Sequence, residues 1–211
     1  GFYNDTDIIK VITGGRRCGK SCLMATIAEE LQLKGVSDSQ IVYLDLDRRP
    51  YRSVKTPESL EKLIDNNTHN SGITYIFIDE IQNVKGFEEV INAYREDGHS
   101  IFITGSNAKM LSRELGTHLT GRYIQIDLYP FSFKEYLNFN NYTPTEKELY
   151  TTLGKTRILS YFKEYMQNGG FPKWHLNQKH FMFVISAVMK VQNGMDAVPA
   201  VASGTLWKKI H

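Results

Sequence analysis

The sequence predicts an α/β fold, a parallel sheet with helices on both faces. Three observations predict it. Five short apolar runs alternate with helix-like segments over the first 128 residues. That alternation builds parallel sheets buried on both sides. The first run leads at once into a glycine-rich loop and an amphipathic helix. After Pro130 the apolar runs give way to helical spacing.

Each element has its own warrant. Residues 8–12 read as a buried strand. Leu23, Ile27 and Leu31 then recur four apart, with Ala28 alongside, which marks the core face of a helix. Gly35 suits its C-cap. Residues 41–46 are a second strand ending at Asp45 and Asp47. Thr56-Pro57 opens the next helix as N-cap and first-turn proline, with Leu60, Leu63 and Ile64 on its apolar side. A polar loop, 66–72, follows. Residues 73–78 form a continuous apolar strand that runs directly into Asp79-Glu80. Phe87, Val90, Ile91 and Tyr94 place a helix over 86–96. The fourth strand, 101–104, ends in Gly105-Ser106-Asn107. A helix at 108–115, a loop at 116–122 and a fifth strand at 123–128 complete the alternation. Right-handed crossovers put the functional loops at the carboxyl ends of the strands.

Beyond Pro130, residues 132–139 are amphipathic, and Thr143-Pro144-Thr145-Glu146 reads as a capping box with proline at the first helical position. Ile158, Tyr161, Phe162, Tyr165 and Met166 make a stripe that reads as core and stops at Gly169-Gly170. The chain thus divides into a core at 1–129, a helical region at 130–172 and an unassigned tail at 173–211.

Composition excludes several classes. Hydrophobic residues make up 41% and charged residues 23%, ordinary for a globular protein. A net charge of +2 is too small to argue for nucleic acid. Arg48, Arg49, Arg52 and Lys55 form a basic cluster with Tyr43 and Tyr51 nearby, but such a cluster reads first as solvated charge. Nucleic acid stays an unsupported partner. No signal peptide is visible, and the longest apolar run in the tail, 181–189, is far shorter than the ~20 residues of a membrane span. Cys18 and Cys22 read as thiols on one helix face in a reducing cytoplasm, with no His or Cys nearby to complete a zinc site. Cys18, at a helix N-terminus, is expected to be the more reactive.

The chemistry starts in the first loop. Gly14-x-x-x-x-Gly19-Lys20-Ser21 is the pattern whose backbone N–H groups and helix N-terminus cradle phosphates. Gly14, Gly15, Arg16, Arg17, Cys18, Gly19, Lys20, Ser21 and Cys22 are therefore the expected binding set. Lys20 is placed on the β- and γ-phosphates, and the Ser21 hydroxyl on Mg²⁺. Asp79, ending an apolar strand, suits the same Mg²⁺, and Glu80 suits the polarisation of an attacking water. Ser106 or Asn107 is placed to sense the γ-phosphate, or to cap the following helix. Arg122 is a candidate transition-state arginine, serving either its own chain or a neighbouring copy.

These residues together carry a family resemblance. Ile12-Thr-Gly-Gly-Arg-Arg-Cys-Gly-Lys-Ser21, Ile78-Asp-Glu-Ile-Gln82, Thr104-Gly-Ser106, Leu119-Thr-Gly-Arg122 and Leu128-Tyr-Pro-Phe-Ser-Phe-Lys-Glu-Tyr-Leu137 resemble the prokaryotic AAA+-type P-loop ATPases. The closest likeness is to the group with an appended C-terminal domain of unknown function. Asn168-Gly-Gly-Phe-Pro172 is similar to a motif in that group's small helical domain. The resemblance covers about residues 5–172. It implies a three-layer P-loop NTPase sandwich with strand order 5-1-4-3-2, a helical lid, and ATP with Mg²⁺. It also implies a finger or sensor role for Arg122, with self-association where that role is played on a neighbouring copy. Hydrolysis coupled to a partner or appended domain is the leading expectation. A non-turnover ATP switch is the alternative, with a DNA-handling ATPase or P-loop kinase behind it. Glu80 favours hydrolysis.

Overall fold

In a computed structural model of the chain, residues 2–68, 72–106, 115–116, 119 and 121–171 are described. They fall into two compact units, the first made of residues 2–16 and 20–128 and the second of residues 17–19 and 129–171.

The first unit is built on five parallel strands: β1 (Ile9–Gly14), β2 (Ile41–Asp45), β3 (Tyr75–Asp79), β4 (Ser100–Gly105) and β5 (Tyr123–Leu128). Their order across the sheet is β2-β3-β4-β1-β5, the expected order read from the other edge. Every pairing is parallel. Side chains alternate between the faces. Ile9 and Val11 of β1, Ile76 and Ile78 of β3, and Ile101 and Ile103 of β4 point to one face. There they pack with Leu60 and Ile64 of α2 (Pro57–Asp65) and with Phe87, Val90, Ile91 and Tyr94 of α3 (Phe87–Glu96). Burying each such side chain contributes about 1.5–3 kcal/mol. Helix α1 (Lys20–Leu33) contacts β1 and β4 from the opposite face, completing three layers.

The helix ends follow local chemistry. Val36 N–H donates to Leu31 O and Gly35 N–H to Gln32 O, the paired bonds of a Schellman stop. Thr56 caps α2 reciprocally with Ser59, and Pro57 takes the first position. The predicted helix at 108–115 lies almost wholly outside the described residues, as does the tail at 173–211.

The α1 face carries an uncommon row. Tyr43, Phe77, Phe102 and Lys10 are in register across β2, β3, β4 and β1. Phe77 and Phe102 stack with centroids 4.6 Å apart, and Tyr43 stacks on Phe77 at 6.0 Å. The Lys10 ammonium lies 5.1 Å from the Phe102 centroid and is fully buried. It donates to Ser100 Oγ at 3.1 Å and to Asp5 O. Ser100 Oγ in turn donates to Tyr3 O at 2.7 Å, so the N-terminal segment is fastened to the amino end of the sheet.

The second unit contains α4 (Phe133–Phe139), α5 (Glu146–Tyr150) and α6 (Thr152–Asn168). Ser132 and Glu135 form the capping box of α4. The box of α5 is not the predicted one. It lies two residues on, with Thr145 as N-cap and Glu148 as its reciprocal acceptor. The Thr143 hydroxyl instead donates to Asn138, leaving Pro144 ahead of the helix. The stripe on α6 is only partly core. Tyr161 meets Tyr136 edge-on, Tyr165 packs on it at a tilt, and Phe162 meets Phe133 edge-on, yet Met166 is 66% exposed. The turn after α6 is fixed by the backbone. Phe131 N–H donates to Gly170 O at 2.8 Å, and Tyr165 OH donates to Phe131 O at 2.7 Å. A Cβ at Gly170 would stand 2.2 Å from Phe131 O, so only glycine fits this approach.

Burial lowers the Lys10 pKa from 10.5 to about 8. The folded protein therefore sheds this proton before the unfolded chain does. The burden of the buried charge is fully present below about 8 and fades as pH rises towards 10.5. Urea midpoints taken at both pH values should show a Lys10-dependent gain at the higher one, and Lys10→Met should remove that gain.

Candidate functional site

The site gathers at the carboxyl ends of β1, β3 and β4. β1 ends at Gly14, whose φ is +150°, and the loop re-enters α1 through Gly19 at φ +107°. Both angles favour glycine, which explains two of the pattern's fixed positions. Arg17 is left-handed as well, at φ +66°. Gly15, Arg16 and Arg17 are exposed, whereas Cys18 is buried. At its base the loop is braced by Thr13, whose hydroxyl donates to Asp127 of β5.

Lys20 opens α1 and bends back over the loop. Its ammonium donates to Gly14 O at 3.1 Å and to Gly15 O at 3.2 Å. It also lies 3.8 Å from Glu80 Oε1 and is almost completely buried. Ser21 follows, its side chain close enough to Asp79 to favour the carboxylate. Its carbonyl accepts from Tyr43 OH at 3.2 Å, so the aromatic row supports the first turn of α1.

Asp79 is 3% exposed at the end of β3. Burial holds its carboxyl above the usual carboxylate range, and the Ser21 and Thr104 hydrogen bonds pull it back. Asp45, its register partner on β2, adds repulsion and Lys20 adds attraction. A buried carboxylate beside a hydroxyl and a second acid offers hard oxygen ligands and gains from a divalent cation. The donor set fits Mg²⁺, which Ser21 and Asp79 would hold.

Glu80 adopts the left-handed region, φ +56° and ψ 48°, which turns it off the strand. Its N–H donates to Thr104 Oγ1 at 3.0 Å, and its carboxylate accepts from Gln82 Nε2. Gln82 Nε2 also lies 3.3 Å from Ser106 Oγ. The structure thus brings together Lys20, Ser21, Asp79, Glu80 and Ser106. Asn107 lies outside the described residues.

Two expectations change, both for the cysteines. Cys18 precedes α1, so the two cysteines do not share a helix face, and its burial removes the basis for reactivity. The Cys22 thiol is pushed up to about 12 by burial, with a smaller contribution from Asp79, so it stays protonated. Among the described residues no cluster of His, Cys, Asp and Glu has the makings of a metal centre of its own.

Arg122 lies at the wrong end of the sheet to serve its own loop. Its carbonyl accepts from Ile9 N–H, at the start of β1. The phosphate loop begins at the other end of that six-residue strand, about 20 Å away. The guanidinium instead pairs with Glu96 Oε1 at 3.3 Å. Of the two arrangements left open by sequence, the one within a single chain is removed.

The tyrosines near the basic cluster are committed elsewhere. Tyr43 is tied to Ser21 and Phe77, and Tyr51 packs on the core. Arg52 Nε donates to Asp47 O at 3.0 Å, and Arg48 lies 3.9 Å from Asp45. The cluster therefore lacks the stacking rings that single-stranded nucleic acid uses.

Sequence reasoning missed Thr104 and Gln82. Thr104 is a polar residue closing an apolar strand, the same signal that marks Asp79. Gln82 stands two residues beyond Glu80, but nothing in the pattern says that its amide turns back.

Sheet order, glycine loop and the lysine-led helix define a P-loop α/β protein. A model of the AAA domain family matches residues 6–137, and the chain belongs to that family of AAA-type P-loop ATPases. An uncharacterized protein of Haemophilus influenzae is 41% identical over 172 residues, covering 81% of this chain and 41% of the relative. An uncharacterized protein of Methanocaldococcus jannaschii is 33% identical over 165 residues, covering 78% of this chain and 36% of the relative. The chain thus spans about two fifths of the length of the curated relatives it matches. Among the described residues no helix is long and apolar enough to cross a membrane.

Thr104→Val keeps the shape but strands Asp79 and the Glu80 N–H. It should lower stability by about 1–3 kcal/mol in urea titration, with Thr104→Ser restoring most of it.

Proposed function

We propose that this protein binds ATP with Mg²⁺ and hydrolyses it, coupling the nucleotide state to a partner or appended domain. The observation that carries this reading is the Lys20–Glu80–Asp79–Ser21 cluster over the glycine loop. Lys20 exchanges the Gly14 and Gly15 carbonyls for the β- and γ-phosphate oxygens. The loop N–H groups, contributed across Gly15, Arg16, Arg17, Cys18, Gly19 and Cys22, bind the remaining oxygens. Mg²⁺, held by Ser21 and Asp79, supplies charge neutralisation on the phosphates. Glu80 draws a proton from water, whose oxygen bonds to the γ-phosphorus as the bond to the β–γ bridging oxygen breaks. ADP and phosphate result. Ser106 or Asn107 senses the γ-phosphate. A non-turnover switch has no use for Glu80, so the carboxylate supports hydrolysis.

The helical region at 130–172 serves in this reading as the lid on the core at 1–129. Arg122 serves a neighbouring copy, which supports self-association. The setting is the cytoplasm.

Phosphate release tests the reading. Lys20→Ala should lose ATP binding. Glu80→Gln should keep binding and lose turnover by roughly a hundredfold or more. Release from Glu80→Gln at the parent rate would overturn the catalytic assignment.

A concentration series tests Arg122. The rate per chain should rise with protein concentration, and Arg122→Ala should abolish the rise while retaining ATP affinity. A flat parental rate would reject the neighbouring-copy role.

A further inference from the structure

We propose that Gln82 is the positioning residue of this centre, its amide holding the Glu80 carboxylate against the end of β4. The inference rests on the hydrolysis reading above. It begins with how few groups hold Glu80. The left-handed backbone takes the side chain off the strand, out of the regular packing of the sheet. Only the Lys20 ammonium and the Gln82 amide reach its carboxylate among the described residues. Lys20 is the group that phosphates recruit. Once it is engaged by them, Gln82 remains to fix the carboxylate.

Gln82 is itself well placed to do so. It sits in a single 3-10 turn, Ile81–Asn83, pinned on both sides. Ile81 is fully buried in the core, and Asn83 Nδ2 donates to Asp47 Oδ1 at 2.9 Å. The amide orientation is fixed by chemistry, because a carboxylate only accepts. The nitrogen must therefore face Glu80, and it reaches Ser106 Oγ with the same atom. The carbonyl oxygen is turned away, buried and without a hydrogen-bond partner among the described residues. An orphaned buried acceptor is unfavourable, and a methionine of similar shape would avoid it. What the amide adds is its donor pair. One side chain thereby links Glu80, beyond β3, to Ser106, beyond β4, above the backbone link made by Thr104. Glu80 is held in register with the strand end that faces the γ-phosphate.

A double-mutant cycle under single-turnover conditions tests this. The proteins are the parent, Gln82→Met, Glu80→Gln and the double variant, with Gln82→Glu as a second isostere lacking the donor. Thermal melts accompany each, and Gln82→Glu decides if Gln82→Met does not fold. The hydrolysis step should slow by roughly ten- to a hundredfold in either Gln82 variant. Affinity for a fluorescent ATP analogue should stay at the parental value, so the loss falls on kcat and not on KM. The double variant should be no slower than Glu80→Gln, because Gln82 acts through Glu80. Parental kcat in the Gln82 variants, or the same fractional loss with and without Glu80, would overturn the inference alone. Parental hydrolysis by Glu80→Gln would overturn both it and the hydrolysis reading.

Discussion

The Thr104 hydroxyl is the interaction on which the site depends. It donates to Asp79 Oδ1 and accepts from the Glu80 N–H, and it is wholly buried. It can do both because β3 and β4 are parallel neighbours whose register places Ile78 beside Ile103. Their carboxyl ends therefore finish together. One hydroxyl then fixes a carboxylate suited to metal and the backbone of a carboxylate suited to water. The sheet is in this sense the ruler of the chemistry. A slip between β3 and β4 would separate the acids from the residue that orients them.

What could be read in sequence divides along the same line. The strands and the helices α1, α2 and α3 were legible, because each announces itself by a period or an unbroken apolar run. That Lys20, Ser21, Asp79 and Glu80 would meet was legible because each stands in a short contiguous stretch at a strand end or loop. Thr104 and Gln82 were not. Their roles depend on which strand lies beside β3 and on how a turn folds back, and neither is local. The box of α5 was misplaced because two overlapping threonine–glutamate spacings compete, and the Thr143 hydroxyl found Asn138. The position of Arg122 was available from sequence. A residue just before a strand in a parallel sheet lies at its amino end, away from every loop that follows a strand.

Two of the motifs that carry the family resemblance meet in the structure. The stretch containing Phe131 and the Gly169-Gly170 turn meet through a backbone hydrogen bond, with the Tyr165 hydroxyl closing the contact. The glycine is fixed by the approach of Phe131 O, and the aromatic residues by tilted ring contacts with Tyr165. Across the first unit, the row from Tyr43 to Lys10 plays a comparable part. It joins the Ser21 carbonyl at one edge to the anchored N-terminal segment at the other.

The resting posture of Lys20 bears on selectivity. Its ammonium already has two carbonyl partners and an adjacent carboxylate. Occupation of the loop is therefore an exchange reaction, not the filling of a vacant charge. A small anion with a single point of contact gains little by displacing those partners. A chain of linked phosphates recovers them several times over, through Lys20 and the loop amides together. In the proposed ATP reading, what the lysine must give up favours a linked polyphosphate over a single phosphate.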